Sequence, residues 1–499
     1  MVAPLAIGVD LGTQQLKVLA VNLERVSVLG SVQAPIHNIK AGPGALEQDP
    51  DQWWPLLSKL TRELIERLQL APAAIRSIGL SGHMHSIVPL RADGSPAFNC
   101  IVWADTRALT QAKAIGALEG VTLWNPSIAA YSAPKLLWLR DNHPEAYGAT
   151  HHVLFSKDYL RLRMTGEMST DFSDVSGSLL WDFGAREWDA DLLARLGIAA
   201  SLLPQPQEST VVAGSLTEQA AADLGLPAGT PVATGAGDVA CAVIGSGLES
   251  SDTLLINAGT AAQVILIQEQ PAPYVPERGV RYLFELGIDG KAFAMGALPS
   301  AGLSLEWWRS LLGGQLTYGD LDELASDRLG TADGPLFIPY LQGTGTPDIR
   351  DDSLGTFLFM SSSADRALLT AAVMEGVVFG VKQCADALLG GDATPQRQVL
   401  ITGGMSKSQV MRRIFASAFG VTAAFRDFSD VSAIGAVALG AAAAGEVDSV
   451  AGFLRALPFD THEVAPDPVL AERYAAMSKR HREWAEFVAQ HPQSWRRRR

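Results

Sequence analysis

Cysteine is scarce in this chain of 499 residues, and basic residues are outnumbered by acidic ones. The three cysteines, Cys100, Cys241 and Cys384, lie far apart and match no metal-binding or redox pattern, so we expect a reducing, cytoplasmic setting. The 39 lysines and arginines against 53 aspartates and glutamates leave a formal net charge of -14. An acidic chain of this kind is not expected to bind nucleic acid or an anionic membrane.

Long hydrophobic runs and two nucleotide-binding signatures are also missing. The late run AIGAVALGAAAAG is short and rich in small residues, which indicates a closely packed helix and not a membrane span. At the start, MVAPLAIGVDLGT reaches Asp10 before a signal-peptide core could finish, so no signal peptide is expected. Neither G-x-x-x-x-G-K-[ST] nor an H-R-D set occurs, which excludes P-loop enzymes and protein kinases.

The length exceeds what one hydrophobic core usually serves, so two domains are expected. Hydrophobic residues make up 47% of the chain, which is enough to build a substantial core. The terminal run Arg496–Arg499 is interpreted as a solvated tail, because the rest of the molecule is acidic.

The central stretch PVATGAGDVACAV predicts a strand, a tight glycine turn and a helix, with Asp238 presented at the corner. Three interpretations are open for this carboxylate: a helix N-cap, part of a dinucleotide-binding fingerprint, or a general base. Gly235, Gly237 and Ala240 satisfy G-x-G-x-x-G/A. The fingerprint also requires an acidic residue about twenty positions later, and LLINAGTAAQ contains none, so NAD binding is disfavoured.

Two similar hairpins are predicted, one in each half of the chain. LAIGVDLGTQQLKVLAVNL places Asp10, Gly12 and Thr13 at the first bend, and DTLLINAGTAAQVILI places Gly259 and Thr260 at the second. The first bend is read either as an ordinary turn or as a site where free amides, a hydroxyl and a carboxylate meet phosphate and Mg²⁺. The repetition favours a duplicated fold with a nucleotide clamped between the halves.

Further polar residues follow apolar runs. His83, Met84 and His85 lie on a loop between two predicted strands, where contact with a polar small molecule is favoured over a metal site. In IVWADTRA, Arg107 either forms an ion pair with Asp105 at a strand end or contacts a ligand.

Three later segments complete the pattern. QVLITGGMSKSQV predicts a strand, a Gly403–Gly404 turn and a helix, either a simple turn or a place where backbone amides meet a nucleotide. FSKDYLRLRMT predicts a helix. The Ser, Asp and Gly-rich segment 169–178 that follows either lines a cleft or forms a surface connection, and the surface connection is favoured.

Taken in order from about Ala6 to about Gly445, the motifs of this chain resemble the FGGY family of carbohydrate kinases, and within it the kinases of xylulose. The resemblance is carried by IGVDLGT, EQDPDQWW, GHMH, VWADTR, SAPKLLW, FSKDYLRLRMTGEMSTDFSDVSG, GAGD, NAGT, FIPYLQGTGTP, MEGVVFG and TGGMSKS. Single motifs are weak, but their order and spacing are specific.

This resemblance implies an α/β fold of two actin-like, ribonuclease-H-type domains with a cleft between them. The domains would cover 1–245 and 246–499, the second ending in a helical tail. It also implies ATP and Mg²⁺ as cofactors, phosphorylation of a ketopentose such as D-xylulose, and compatibility with a homodimer. A kinase for ribulose, gluconate or another polyol is the alternative within the family, and a non-catalytic actin-like nucleotide-binding protein is the alternative outside it.

The resemblance further implies roles for individual residues. Asp238 would be the base, and Asp10 would lie near the Mg²⁺-phosphate site. Residues implied at the nucleotide are Thr13, Lys17, Gly259, Thr260, Gly302, Gly403, Gly404 and Ser408. Residues implied at the sugar are Met84, His85, Trp103, Arg107 and Asp238.

Four positions depart from the family pattern. Val239 stands where a polar residue is common, His83 where Gln is frequent, and Gln14 and Gln15 replace small residues. The identity of the sugar is therefore less fixed than the reaction.

The position of Asp238 at the start of a helix should lower its pKa, whereas the charge of bound ATP and closure of the cleft should raise it.

Overall fold

The computed structural model describes residues 3–276, 279–350, 352–391, 397–427 and 430–491. The arginine run predicted to be a solvated tail lies outside these ranges.

The first half of the chain contains a main mixed sheet, a four-stranded sheet and two strand pairs. Its strands are β1 (Leu5–Leu11), β2 (Gln15–Asn22), β3 (Ser27–Pro35), β4 (Glu47–Gln48), β5 (Ile75–Gly82), β6 (Ile87–Leu90), β7 (Cys100–Ile101), β8 (His152–Phe155), β9 (Thr170–Asp171), β10 (Trp181–Asp182), β11 (Glu187–Trp188), β12 (Pro206–Gln207), β13 (Val212–Ser215), β14 (Pro231–Ala233) and β15 (Ala236–Gly237). The main sheet has the order β13-β14-β5-β1-β2-β3, and β15 adds to β5. The four-stranded sheet has the order β4-β7-β6-β8.

The second half repeats this plan. Its strands are β16 (Thr253–Ala258), β17 (Ala262–Gln268), β18 (Tyr282–Glu285), β19 (Ala292–Leu298), β20 (Leu336–Ile338), β21 (Thr356–Leu358), β22 (Gln398–Thr402), β23 (Ala423–Arg426) and β24 (Thr461–Val464). The main sheet has the order β18-β19-β17-β16-β22-β23-β24.

Helices cover the sheets and connect the strands. In the first half they are α1 (Trp53–Arg67), α2 (Leu109–Gly116), α3 (Ser132–Asn142), α4 (Pro144–Gly148), α5 (Ser156–Thr165), α6 (Phe172–Ser176), α7 (Ala190–Leu196), α8 (Glu218–Leu224) and α9 (Asp238–Gly245). In the second half they are α10 (Gly302–Leu311), α11 (Tyr318–Ser326), α12 (Arg366–Leu389), α13 (Gln409–Phe419), α14 (Val431–Ala443), α15 (Val450–Ala456) and α16 (Pro468–Gln490).

Both halves have the same strand pairing, as the repeated sequence plan predicts. In the first, β1 pairs antiparallel with β2 and parallel with β5. In the second, β16 pairs antiparallel with β17 and parallel with β22. The two predicted hairpins are confirmed, and the arrangement is that of a two-domain, actin-like α/β fold. The predicted division at residue 245 falls between α9 and β16.

Helix α14 belongs to the second half of the chain, yet it packs on β1, β5 and α9 of the first half. Glycines allow this contact at backbone distance. A Cβ atom at Gly79 would lie 1.7 Å from the carbonyl oxygen of Ala436, and one at Gly435 would lie 2.0 Å from that of Cys241. Both distances are far below contact distance, so these positions require glycine.

Helix α12 is long and apolar enough to cross a membrane by length and composition alone. In the folded chain 72% of its most apolar window is buried. Its apolar residues pack into the core of the second half with strands β19 and β20, which explains its composition without a membrane.

The expectation that segment 169–178 is a surface connection is wrong. It contains β9 and α6, and the stretch Ser173–Ser178 is buried throughout. Several of its polar groups are bonded inside the protein: Ser176 Oγ donates to the carbonyl of Ser173 at 2.7 Å, and Ser178 Oγ donates to the carbonyl of Val175 at 2.6 Å. A composition that is typical of surface loops therefore belongs here to a buried polar segment.

The contact between α14 and β5 gives a stability prediction. Gly79→Ala should lower the free energy of unfolding by more than about 2 kcal/mol, because the new methyl group overlaps the backbone of α14 and one element must shift. The midpoint of urea unfolding, followed by far-ultraviolet circular dichroism, measures this change.

Gly148→Ala is the matched control, since Gly148 ends α4 on the surface and a Cβ atom there has no atom within 4 Å. This variant should unfold at the wild-type midpoint. Equal midpoints for Gly79→Ala and the wild type would show that α14 does not press on β5.

Candidate active site

Asp238 stands at the strand, turn and helix corner that the sequence predicts. Gly235 has a φ of 74°, in the left-handed region, and turns the chain into β15. Gly237 occupies the N-cap of α9 and Asp238 is its first residue, so Asp238 is not the N-cap. Its Oδ1 atom accepts hydrogen bonds from the amide of Val239 at 2.9 Å and the amide of Met84 at 3.3 Å.

The surroundings of Asp238 favour the protonated form of its carboxyl group. Asp238 is half-buried. Burial, followed by the nearby charge of Asp10, raises its pKa to about 7, and the amide hydrogen bonds oppose this only in part. Desolvation therefore outweighs the effect of the helix start, even without a bound nucleotide.

The first bend brings together Asp10, Thr13 and Lys17. Ser81 Oγ donates to Asp10 Oδ1 at 2.8 Å, while burial raises the pKa of Asp10. Lys17 forms an ion pair with Asp430, which immediately precedes α14. This contact joins residues more than four hundred positions apart and links the two halves at the bend.

Amide groups in the two bends are only partly free. The amide of Gly12 donates to the carbonyl of Gln15 at 3.0 Å, and that of Gly259 donates to the carbonyl of Ala261 at 3.1 Å. These two amides are therefore used within the bends. Thr13 Oγ1 accepts from Trp103 Nε1 at 2.8 Å, which leaves the hydroxyl hydrogen of Thr13 available to a ligand.

Met84 and His85 lie on the loop that contacts Asp238. Met84 is buried, and His85 has a φ of 66°, which is uncommon for a residue with a side chain. His85 Nδ1 lies 2.9 Å from the carbonyl of Gly177. Burial, with the charge of Lys135, lowers the pKa of His85 to about 3, so the ring is neutral and its Nδ1 hydrogen is donated to Gly177.

Trp103 and Arg107 differ in their availability. The indole of Trp103 is 44% exposed beside Thr13. Arg107 forms the ion pair with Asp105 that the sequence allowed, at 2.7 Å, and a second with Glu47 at 2.6 Å. Its guanidinium also stacks over Trp138. Arg107 is therefore held in a charged cluster of its own half.

A cavity of about 660 Å³ in the second half gathers most of the predicted nucleotide residues. Those that line it are Gly259, Thr260, Gly302, Gly404 and Ser408. The amide of Gly302 donates to the carbonyl of Gly259, and the amide of Leu303 to that of Thr260, both at 3.0 Å. These bonds fix the second bend against the start of α10.

Gly403 shapes this cavity from behind, with a φ of 89° that turns β22 toward α13. Ser408 caps α13 by accepting from the amide of Met411 at 2.9 Å, and its hydroxyl donates to Asp322 Oδ1 at 2.7 Å. Asp322 also lines the cavity, and burial raises its pKa.

Sequence reasoning missed several lining residues, including Glu306, Tyr318 and Asp322. They lie on α10 and α11, where no glycine turn or family motif marks them. Tyr318 Oη donates to Glu306 Oε2 at 2.9 Å, so the two form one polar wall. Met374, Met405 and Met411 form an apolar wall of the same cavity.

The donor set near Asp10 suits a magnesium ion that nucleotide phosphates complete. No cluster of three or more His, Cys, Asp or Glu side chains able to hold a metal occurs among the described residues. Mg²⁺ binds through one or two carboxylates together with substrate phosphates and water. Asp10 supplies a desolvated carboxylate of this kind.

Two family models match this chain and together cover most of it. The N-terminal domain of the FGGY family of carbohydrate kinases matches residues 5–245, and the C-terminal domain of the same family matches residues 254–444.

Curated relatives and solved structures agree with these matches. The chain is 30% identical to the xylulose kinase of Escherichia coli, over 95% of this chain and 96% of that protein. It is 30% identical to the xylulose kinase of Bacillus subtilis over 89% of each. A crystal structure titled as a xyloylose kinase from Brucella ovis is 32% identical, with a TM-score of 0.89, and covers 97% of this chain and 99% of that one.

The fold is also shared with a solved gluconate kinase from Lactobacillus acidophilus, at 23% identity and a TM-score of 0.90 over 99% of this chain and 100% of that one. That likeness concerns the fold alone. The two matched domains and the xylulose kinase relatives, taken with the two-domain fold described above, show that the chain belongs to the FGGY family of carbohydrate kinases.

Proposed function

We propose that this kinase transfers the γ-phosphoryl group of ATP to a hydroxyl of D-xylulose, with Asp238 as the base. The observation that carries the proposal is the position of Asp238 near Asp10 where the halves join: burial, followed by the charge of Asp10, raises the pKa of Asp238 to about 7. A base with such a pKa is half ionised near neutral pH and can accept a proton from a bound hydroxyl.

ATP is assigned to the cavity of the second half. The methionine wall suits an adenine ring, because thioether side chains adapt to flat apolar surfaces. The Gly-Thr bend and the start of α10 suit phosphate oxygens. Thr13 and Lys17 are assigned to the transferred phosphate from the first half, where nucleotide phosphates would compete with Asp430 for Lys17.

Phosphoryl transfer depends mainly on positioning and charge neutralisation, because its transition state is loose. The amide bonds at Oδ1 of Asp238 fix the carboxylate, so Oδ2 is assigned to the sugar hydroxyl. The hydroxyl proton passes to Asp238 as the oxygen bonds to phosphorus. Asp10 would hold Mg²⁺, which neutralises phosphate charge when bound.

His85 and Val239 are assigned to sugar recognition. The neutral His85 ring gives its Nδ1 hydrogen to Gly177, so its Nε2 is a hydrogen-bond acceptor for a sugar hydroxyl. Val239 is half-buried beside the base and offers no polar atom. A sugar hydroxyl facing it loses a hydrogen bond, and for this reason ribulose, gluconate and other polyols are the competing substrates.

The assignment of the base gives the first kinetic prediction. Asp238→Asn should lower kcat by about 10² to 10⁴ or more, because the amide cannot accept the proton. Binding of ADP, measured by isothermal calorimetry, should stay at the wild-type affinity, since the cavity lies on other elements. Near-normal turnover would refute the base assignment, and nucleotide binding with no turnover in the wild type would favour a non-catalytic protein.

The raised pKa predicts the pH dependence. The enzyme is active when Asp238 is ionised, so kcat/KM for the sugar should fall as pH drops below about 7. The fall should approach about tenfold for each pH unit, as protonation removes the base. Asp10→Asn should lower the pKa of Asp238, because it removes a neighbouring negative charge; direct titration of the Asp238 carboxyl group measures this shift, since Asp10 is also assigned to Mg²⁺ and its loss should lower turnover. A profile that is flat from neutral to mildly acidic pH would contradict the role of Asp238.

The choice of sugar is tested by ADP release over D-xylulose, D-ribulose, gluconate and glycerol. We expect D-xylulose to give the highest kcat/KM. Val239→Asn should raise that value about fivefold, because a restored hydrogen bond is worth about 1 kcal/mol. A higher kcat/KM for gluconate or ribulose in the wild type would replace xylulose while leaving the kinase reaction in place.

A further inference from the structure

The buried segment from α5 to the end of α6 carries more charge than a protein interior normally holds. Lys157 Nζ lies 2.8 Å from Asp158 Oδ1, 2.6 Å from Asp171 Oδ1 and 2.7 Å from Asp174 Oδ2, and all four side chains have no solvent exposure. Arg161 adds a second cation, 2.9 Å from Asp158. Burying so many ionisable groups together is costly, so a purely structural core would not need them.

The cluster fixes the short helix α6 in place. Asp171 is its N-cap and accepts from the amide of Ser173 at 2.7 Å and from the hydroxyl of the same serine. Lys157 holds Asp171 from the other side. The hydroxyl of Ser173 therefore has one orientation, with its hydrogen on Asp171 and its lone pairs directed away.

One of these lone pairs accepts a hydrogen bond from the backbone next to Asp238. The amide of Gly237 donates to Ser173 Oγ at 2.8 Å, and Gly237 directly precedes Asp238. This is a contact between α6 and the corner, across 64 positions of sequence. A Cβ atom at Gly237 would lie 2.3 Å from Met84 Cγ and 3.4 Å from Asp174 Oδ1, so the corner is closely enclosed.

The same segment holds the loop on the sugar side through separate bonds. The carbonyl of Gly177, which follows α6, accepts from His85, as described above. Ser156 Oγ, at the start of α5, donates to the carbonyl of His83 at 2.9 Å. The base and the sugar-side histidine are thus tied to one rigid segment by different atoms.

We propose that Ser173 is a positioning residue for the phosphoryl transfer: anchored by the Lys157 and Asp171 pair, its hydroxyl holds the Gly237 amide and so aims Asp238. This inference rests on the proposed function, in which Asp238 is the base. It predicts that loss of the hydroxyl acts on the chemical step and leaves the nucleotide cavity and the hold on His85 intact.

The test is Ser173→Ala in the full-length enzyme. We expect kcat to fall about 10- to 100-fold, because a small displacement of a reacting group has an effect of this size. KM for the sugar and ADP affinity should stay close to the wild-type values, while the thermal unfolding midpoint should fall slightly because a buried amide loses its acceptor. This split between kcat and KM separates positioning from a wider structural defect, which would disturb sugar and ADP binding as well.

Ser178→Ala is the matched control. Ser178 is buried in the same segment, donates to the carbonyl of Val175 at 2.6 Å and accepts from the amide of Leu180 at 3.0 Å, with no bond to Gly237. It should keep the wild-type kcat. If Ser173→Ala does not fold, Ser173→Cys retains the volume with a weak acceptor and should show the same fall in kcat.

Wild-type kcat in a folded Ser173 variant would overturn the inference, as would an equal loss of kcat in the Ser178 control. Asp238→Asn, assayed in parallel, distinguishes a failure of the base assignment from a failure of the positioning role of Ser173. Near-normal turnover by that variant would remove the base assignment and the positioning role of Ser173 with it, and would leave the kinase reaction in place. An inactive Asp238→Asn beside a fully active Ser173→Ala would remove only the positioning role.

Discussion

The close approach of α14 to the first sheet is the constraint on which the cleft depends. A helix from the second half lies at backbone distance from β5 and α9, because Gly79 and Gly435 leave no side chain between them. Three consequences follow at the N-terminal end of α14. Asp430 reaches Lys17, Ser432 Oγ donates to the carbonyl of Asp238 at 3.3 Å, and the two halves meet where the base stands.

Burial then determines the chemistry of the groups that meet there. The same desolvation raises the pKa of Asp238 to about 7 and lowers that of His85 to about 3. The carboxylate becomes a base suited to neutral pH, and the imidazole becomes a neutral acceptor. Nearby, burial together with the charges of Asp171 and Asp158 raises the pKa of Asp174, although Lys157 opposes it. Burial is thus the largest cause of all three pKa shifts, upward for the two carboxyl groups and downward for the imidazole.

Local features of the site could be predicted from the sequence, and long-range ones could not. The two hairpin bends and the corner at Asp238 depend on glycine and on short apolar runs, so their patterns are visible in a few residues. The pair Lys17 and Asp430 joins distant parts of the chain and has no local pattern. Segment 169–178 has the composition of a surface loop, and only the charges of α5 packed against it explain its burial.

The proposed role of Asp238 depends most directly on its carboxyl group gaining a proton near neutral pH. Carbon-13 NMR of protein labelled at the aspartate carboxyl carbons measures this, with Asp238→Asn to assign the resonance. We predict a carboxyl resonance that titrates with a pKa of about 7 and disappears in Asp238→Asn. In Asp10→Asn the titration midpoint of this resonance should move to lower pH. A resonance of Asp238 that titrates at the ordinary value for aspartate would contradict the account, since the carboxylate would then be too weak a base for the role.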